Sequence, residues 1–435
     1  MSDAIAGFPF WRLQFDKDGK GDTSVETFLG ELPNSELTDL FIFSHGWNND
    51  RAIALDLYTR FFGAIRELLE NGTAKLLPGV KIGCAGIFWP SILFPGDTAP
   101  PAGDGGASSF SSGDERTLDS ELPKAFCQPD QQAELQGLIE LLNTRPSTNE
   151  ALLTFRDKLN SIITLPELRS TQDSLESLPE TDDDRWFRLL DAAAQAPADD
   201  EGGAAGLGGF FDKMWNGAQQ ILRVATYWEM KNRAGVIGKG SVGPLIVKIH
   251  SEMPELRIHL IGHSFGARLV SYTLAGLSND FVGPKSPIKM LYLLQGAFSH
   301  FAFAPKLSFD PDRAGDLHGM ASRVDGPLVT THSKKDTAVG VAYPAASFLA
   351  GADAADAGDV MYRWEGMGCD GAQESDAAEH ALGDVPYEFV RGSWLNLDGN
   401  NVIVAGGPPS GAHSDIVHPE TAFVALSAAN VLITE

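Results

Sequence analysis

Six short apolar runs punctuate the chain, at residues 40–43, 80–88, 256–261, 288–294, 327–330 and 401–405. Each is of strand length, and several are continuous rather than alternating. Continuous runs mark strands buried on both faces, as in a parallel sheet covered by helices. Helical patterns lie between them. The stretch "RAIALDLYTRFFGAIRELLENG" (51–72) carries apolar residues at helical spacing and ends at Asn71-Gly72, a C-cap signal. "GARLVSYTLAGLS" (266–278) follows the 256–261 run. This alternation predicts an α/β fold: a mostly parallel central sheet flanked by helices, with right-handed crossovers.

Residues 95–220 break the rhythm. The stretch around its start, "FPGDTAPPAGDGGASSFSSGDE", is rich in Gly, Pro, Ser and Asp. Helical patterns follow at 130–163 and 183–195, and "APADDEGGAAGLGGFFD" closes the region. The chain therefore divides into a core part (1–94), a largely helical insertion (95–220) and a second core part (221–435). A further irregular stretch covers 344–395. The polar "DKDGKGD" (16–22) fails as a calcium loop, because its fifth position is Lys20 and its twelfth Thr27. It reads as a hairpin turn. The segment 207–230 is dense in apolar and aromatic residues, which suits either an ordinary core helix or an amphipathic flap over an acyl pocket.

Composition narrows the classes. The 435 residues suit one large domain with an insertion, or two domains. A formal net charge of −25 disfavours nucleic acid and anionic lipid headgroups and leaves neutral or cationic substrates open. Cys84, Cys127 and Cys369 are scattered and odd in number, so neither a disulfide framework nor a structural zinc site is expected from them. The N-terminus lacks a basic and apolar leader pattern, and no apolar run approaches the roughly 18 residues of a spanning helix. These features read as a soluble, cytoplasmic protein, with export by a signal-less route left open.

The chemistry concentrates in "IHLIGHSFGARLV" (258–270). An apolar strand runs directly into Gly262-His263-Ser264-Phe265-Gly266, and a helical pattern follows. A strand-to-helix turn this tight strains its central residue, and only small residues two positions either side avoid a clash. Ser264 is thereby lifted clear of the sheet at a helix N-terminus, where a nucleophile is wanted. Its oxyanion would need two backbone donors: the N–H of Phe265, and that of Trp47 in "FIFSHGWNND" (41–50), where Gly46 allows close approach. The same loop also reads as a plain strand-end turn with Asn48 to Asp50 capping a helix.

These segments resemble the α/β-hydrolase superfamily. Within it, "SHGWNND", "FWPS" (88–91) and "IHLIGHSFGARLV" are similar to a poorly characterised bacterial group with HGYNN-like and WPS-like segments. The resemblance covers the core strands and not residues 95–220, so lid behaviour is not carried over with it. It implies a triad in the order Ser, acid, His. Asp336, in "SKKDTAV", is similar to the acid-bearing segment of that group, with Asp325 as the weaker candidate. His413 resembles the family's loop histidine and follows the 401–405 run and a Gly/Pro-rich loop. His418, before Pro419, is the alternative, with capping as its plainer role. His263 is expected to point away and pack, His45 to belong to the oxyanion-loop scaffold, and His332 to lie too early for the base.

The expected activity is hydrolysis of a small-molecule or lipid-like carboxylic ester through Ser264, Asp336 and His413, esterase- or lipase-like, with no metal or cofactor. Acyl transfer or amide cleavage would use the same residues. A catalytically inactive binding protein on the same fold is the reading from a different class. The motifs do not fix the oligomeric state.

Overall fold

The computed structural model describes residues 3–91, 117–126, 129–163, 182–194, 207–338, 365–407 and 410–433. Five of the six apolar runs lie in strands of one nine-stranded sheet. In chain order the first part carries β1 (Asp3–Ile5), β2 (Phe8–Gln14), α1 (Thr23–Glu31), β3 (Asp39–Ser44), α2 (Arg51–Glu70) and β4 (Ile82–Phe88). Four helices follow: α3 (Leu118–Ala125), α4 (Pro129–Thr144), α5 (Asn149–Ile163) and α6 (Asp183–Ala193). Then come α7 (Leu207–Ile237), a π-helical turn at Gly238–Val242, α8 (Gly243–Glu252), β5 (Arg257–His263), α9 (Phe265–Ala275) and β6 (Ile288–Leu294). The chain closes with β7 (Leu328–His332), the single-turn α10 (Met367–Asp370), β8 (Ala378–Ala381), β9 (Trp394–Asp398) and α11 (Pro419–Ala428).

The sheet order is β1-β2-β4-β3-β5-β6-β7-β9-β8, parallel throughout except for the β1–β2 hairpin. Every residue of β3 and β4 is buried, as a two-sided cover demands. Alternation sorts their side chains. Phe41, Phe43, Ile261, Tyr292 and Leu294 join the buried faces of α2 and α11 in one apolar cluster. Leu40, Ile42, Leu260 and Leu293 alternate with them and are just as buried, and α9 packs against β3, β5 and β6. The order reverses between β3 and β5. In open parallel sheets the crevice at the carboxyl ends of strands beside such a reversal is where ligands bind.

Local chemistry explains several boundaries. Asp50 caps α2 by accepting from the N–H groups of Ala52 and Ile53. Gly72 follows the helix in the left-handed region, at φ +80°. "DKDGKGD" is a turn: Asp16 Oδ1 accepts from the N–H groups of Asp18 and Lys20, Phe15 pairs with Gly21, and Asp22 caps α1.

The run at 401–405 is not a strand. After Gly399 the backbone turns, with the N–H groups of Val402 and Ile403 bonded to Gly399 O. The N–H groups of Val404 and Ala405 donate to the Asp415 carboxylate at 2.8 and 2.7 Å instead of to a neighbouring strand. The strand of this region is β9, and it was hidden because Asn396 and Asp398 interrupt its apolar pattern. Asn396 is nevertheless buried, its amide exchanging hydrogen bonds with the backbone of Ala372. The irregular stretch 344–395 likewise holds β8 and α10, and α7 begins inside the loose stretch that closes the insertion.

Two units separate by internal contacts. The first holds the described residues within Met1–Pro90, Arg233–Tyr343 and Glu365–Glu435, and so contains the whole sheet. The described part of Ser91–Asn232 makes the second. It is helical, with Leu135, Leu138, Phe155, Trp186 and Trp215 buried. Trp186 and Trp215 each place an indole N–H on a backbone carbonyl, of Leu152 and Pro146 respectively. The aromatic-rich 207–230 segment contributes Met214, Trp215, Ala218, Ile221 and Leu222 at helical spacing, all buried.

Candidate active site

β5 ends at His263, and the chain turns at once into α9. Ser264 takes the whole turn, with φ +58° and ψ −123°, a backbone conformation that is costly for a residue with a Cβ. Neighbouring backbone leaves room for nothing but glycine around it. A Cβ on Gly262 would meet Gly266 O at 2.4 Å, and one on Gly266 would meet Ser44 O at 2.0 Å. Both flanking glycines are thus required by close approach, as the motif implied.

Ser264 Oγ donates to His413 Nε2 at 2.8 Å. His413 Nδ1 donates to Asp336 Oδ2 at 2.7 Å. The three side chains, distant in sequence, form one hydrogen-bonded relay, and Asp336 is 1% exposed. Backbone contacts join the acid and histidine loops: Asp336 pairs with Gly411, and Ala412 N–H donates to Lys335 O. Gly411 sits at φ +58°, and a Cβ there would meet Lys335 O at 2.3 Å.

The loop after β3 forms the other wall. A Cβ on Gly46 would stand 2.4 Å from Ser264 Cβ and 2.9 Å from its Oγ. His45 holds this loop. Its Nδ1 donates to Gly46 O at 2.9 Å, and its Nε2 accepts the Trp89 N–H at 3.4 Å. That pair of roles requires the neutral ring, and burial pushes the His45 pKa down to about 4. Trp89, from the "FWPS" segment, stacks on the imidazole at 5.5 Å and donates its indole N–H to His45 O. Asn49 Nδ2 donates to Gly46 O and Trp47 O. The Gly46 carbonyl is therefore pinned by two donors, and a planar trans peptide sends the Trp47 N–H to the opposite side. Phe265 begins α9, so its N–H belongs to the helix N-terminus. The Trp47 and Phe265 rings lie 6.3 Å apart.

No family model, curated protein or solved structure matches this chain.

The remaining histidines and acids separate clearly. His418 precedes α11, and its Nε2 is 2.9 Å from Asp415 Oδ1. Asp325 lies before β7 and pairs with Lys289 and Arg391. His332 ends β7 with Nε2 3.4 Å from Glu379. His263 has a role beyond the packing expected of it. Its Nε2 donates to the backbone carbonyl of His413 at 2.9 Å, with the two rings 5.0 Å apart. Burial, reinforced by the neighbouring His413, pushes its pKa down to about 3, so it stays neutral.

Gln295 was not anticipated. It follows β6 directly, is fully buried and stands at φ +46°. Its Nε2 donates to Asp336 Oδ2 at 2.9 Å and to Gly368 O at 3.0 Å. Two acceptors on one side fix the amide orientation. The available signal was its position: a polar residue at the carboxyl end of a buried strand, beside the strand that carries Ser264.

Proposed function

We propose that this chain is a serine hydrolase of the α/β-hydrolase type that cleaves carboxylic esters. The observation that carries the reading is the continuous Ser264–His413–Asp336 relay on a strained strand-to-helix turn. His413 Nε2 takes the Ser264 proton as Oγ attacks the ester carbonyl carbon. The oxyanion is stabilised by the N–H groups of Trp47 and Phe265. Collapse of the tetrahedral species expels the alcohol, which leaves with the proton from His413. Water, deprotonated by the same imidazole, then attacks the acyl-enzyme, and the acid departs as Ser264 regains its proton. Asp336 keeps the imidazole oriented and balances its charge, while Gln295 fixes Asp336 in turn. The residues named need no metal or cofactor for these steps.

The test is intact-mass detection of a fluorophosphonate adduct on wild type and Ser264→Ala. One adduct on wild type and none on the variant is the expected result. Folded wild type that takes up no reagent overturns the reading. With activated esters, Ser264→Ala is expected to lose roughly 10⁴-fold or more in kcat. A chain-length panel tests the lipase-like form of the proposal, and activity confined to acetate esters counts against it.

A further inference from the structure

Outside the relay, metal-ligating side chains converge at one other place among the described residues. His300, Glu365 and Asp370 bring a ring nitrogen and two carboxylate oxygens within 4.8 Å of one another. His300 is fully buried, and its Nδ1 lies 2.8 and 2.9 Å from the two Asp370 oxygens. We propose that these three residues form a zinc site, a function separate from the Ser264 chemistry and standing whether or not that reading holds.

The framework of the site is set by the backbone. Ser299 pairs with Gly366, Met367 N–H donates to Phe298 O, and His300 N–H donates to Glu365 O. Gln373 closes the other side, with its N–H on His300 O and its Nε2 on Asp370 O. The segment after β6 and the turn around α10 are thus stitched together, and the three ligand atoms face each other without a rearrangement of the chain.

The electrostatics point to a cation. Among the described residues, no hydrogen bond or ion pair reaches the Glu365 carboxylate. It is half-buried, and it faces the Asp370 carboxylate and the His300 ring within the same cluster. Two carboxylates crowding one imidazole are relieved by a divalent ion. The donor set narrows the choice to first-row divalent ions that accept an imidazole, of which zinc is the one to test. An imidazole with two carboxylates suits zinc, whereas calcium and magnesium take oxygen ligands alone. Tetrahedral zinc would hold neighbouring ligand atoms roughly 3.4 Å apart. The His300–Asp370 pair, now at 2.8 and 2.9 Å, reaches that spacing by opening about half an ångström. Three protein ligands leave the fourth position to water.

The experiment is calorimetric titration of the chelator-stripped 435-residue chain with Zn²⁺, followed by thermal unfolding. Wild type and Ser264→Ala are expected to bind one equivalent and to unfold at a higher temperature when loaded. Glu365→Gln and His300→Asn are expected to bind at least tenfold more weakly and to lose the thermal rise. Glu365→Gln alters a half-exposed side chain and keeps the reading testable if the buried His300 variant fails to fold. His318→Asn, at an exposed histidine, is expected to bind as wild type. Absence of one-equivalent binding, binding indifferent to Glu365→Gln, or a preference for Ca²⁺ over Zn²⁺ would overturn the assignment.

Discussion

Around Ser264, single atoms decide what is tolerated. Gly46→Ala places a methyl group 2.4 Å from Ser264 Cβ, so the loop or the serine must move. We expect labelling to slow by roughly 100-fold, the scale of an ångström misplacement at a reacting atom. Adduct formation against time measures it. Gln295→Leu removes a donor from the Asp336 carboxylate. Hydrogen bonds to charged groups contribute about 1.5–3 kcal/mol, so kcat is expected to fall about tenfold or more with KM unchanged. Gln295→Glu sets a second carboxyl against Asp336 and is expected to do worse. A rise in KM alone in both variants would argue against a role in orienting the acid. The sequence exposed Ser264, Asp336 and His413 because each stands in a recognisable local setting. Gln295 and the His263 bond to the His413 carbonyl escaped notice because their partners are distant in the chain.

Among the elements, the strands buried on both faces were legible because parallel sheets leave continuous apolar runs. β2 and β9 were not, since Pro9 and Arg12 interrupt one and Asn396 the other. No periodicity reveals that a buried asparagine will satisfy its amide on a neighbouring turn. The π-helical turn between α7 and α8 was equally hidden. It lies against α9, the helix that follows Ser264, and glycine makes the contact. A Cβ on Gly238 would meet Leu269 O at 2.1 Å, while one on Gly240 would meet nothing within 4 Å. Gly238→Ala is therefore expected to destabilise the protein by about 1–3 kcal/mol. Gly240→Ala should be neutral or stabilising by up to about 1 kcal/mol, through helix propensity alone. Paired denaturant midpoints test this, and equal effects at the two sites would contradict it.

For the molecule as a whole, the two neutral histidines beside Ser264 make stability depend on pH. Both His45 and His263 are held well below the ordinary value of 6.5, at about 4 and about 3. Below pH 6.5 the unfolded chain binds these protons and the folded chain does not. Their contribution is complete above the unfolded value and is lost as pH falls toward the folded ones. The denaturant midpoint is expected to drop between about pH 8 and about pH 5.5, a window in which most carboxylates stay ionised. His263→Asn should flatten that slope, and an unchanged slope would count against a neutral buried ring. Among the described residues no helix is long and apolar enough to cross a membrane. The formal charge of −25 makes cationic or neutral esters the first to try.

Ser264 Oγ lies 2.8 Å from His413 Nε2, and a Cβ on Gly46 would stand 2.9 Å from it. Under the proposed chemistry, that leaves the hydroxyl a restricted direction of attack, so the two faces of an incoming carbonyl are not equivalent. The consequence is stereochemical. Mirror-image phosphonates of one chiral reagent should inactivate the protein at different rates, with the backbone of Gly46 among the groups that tell them apart.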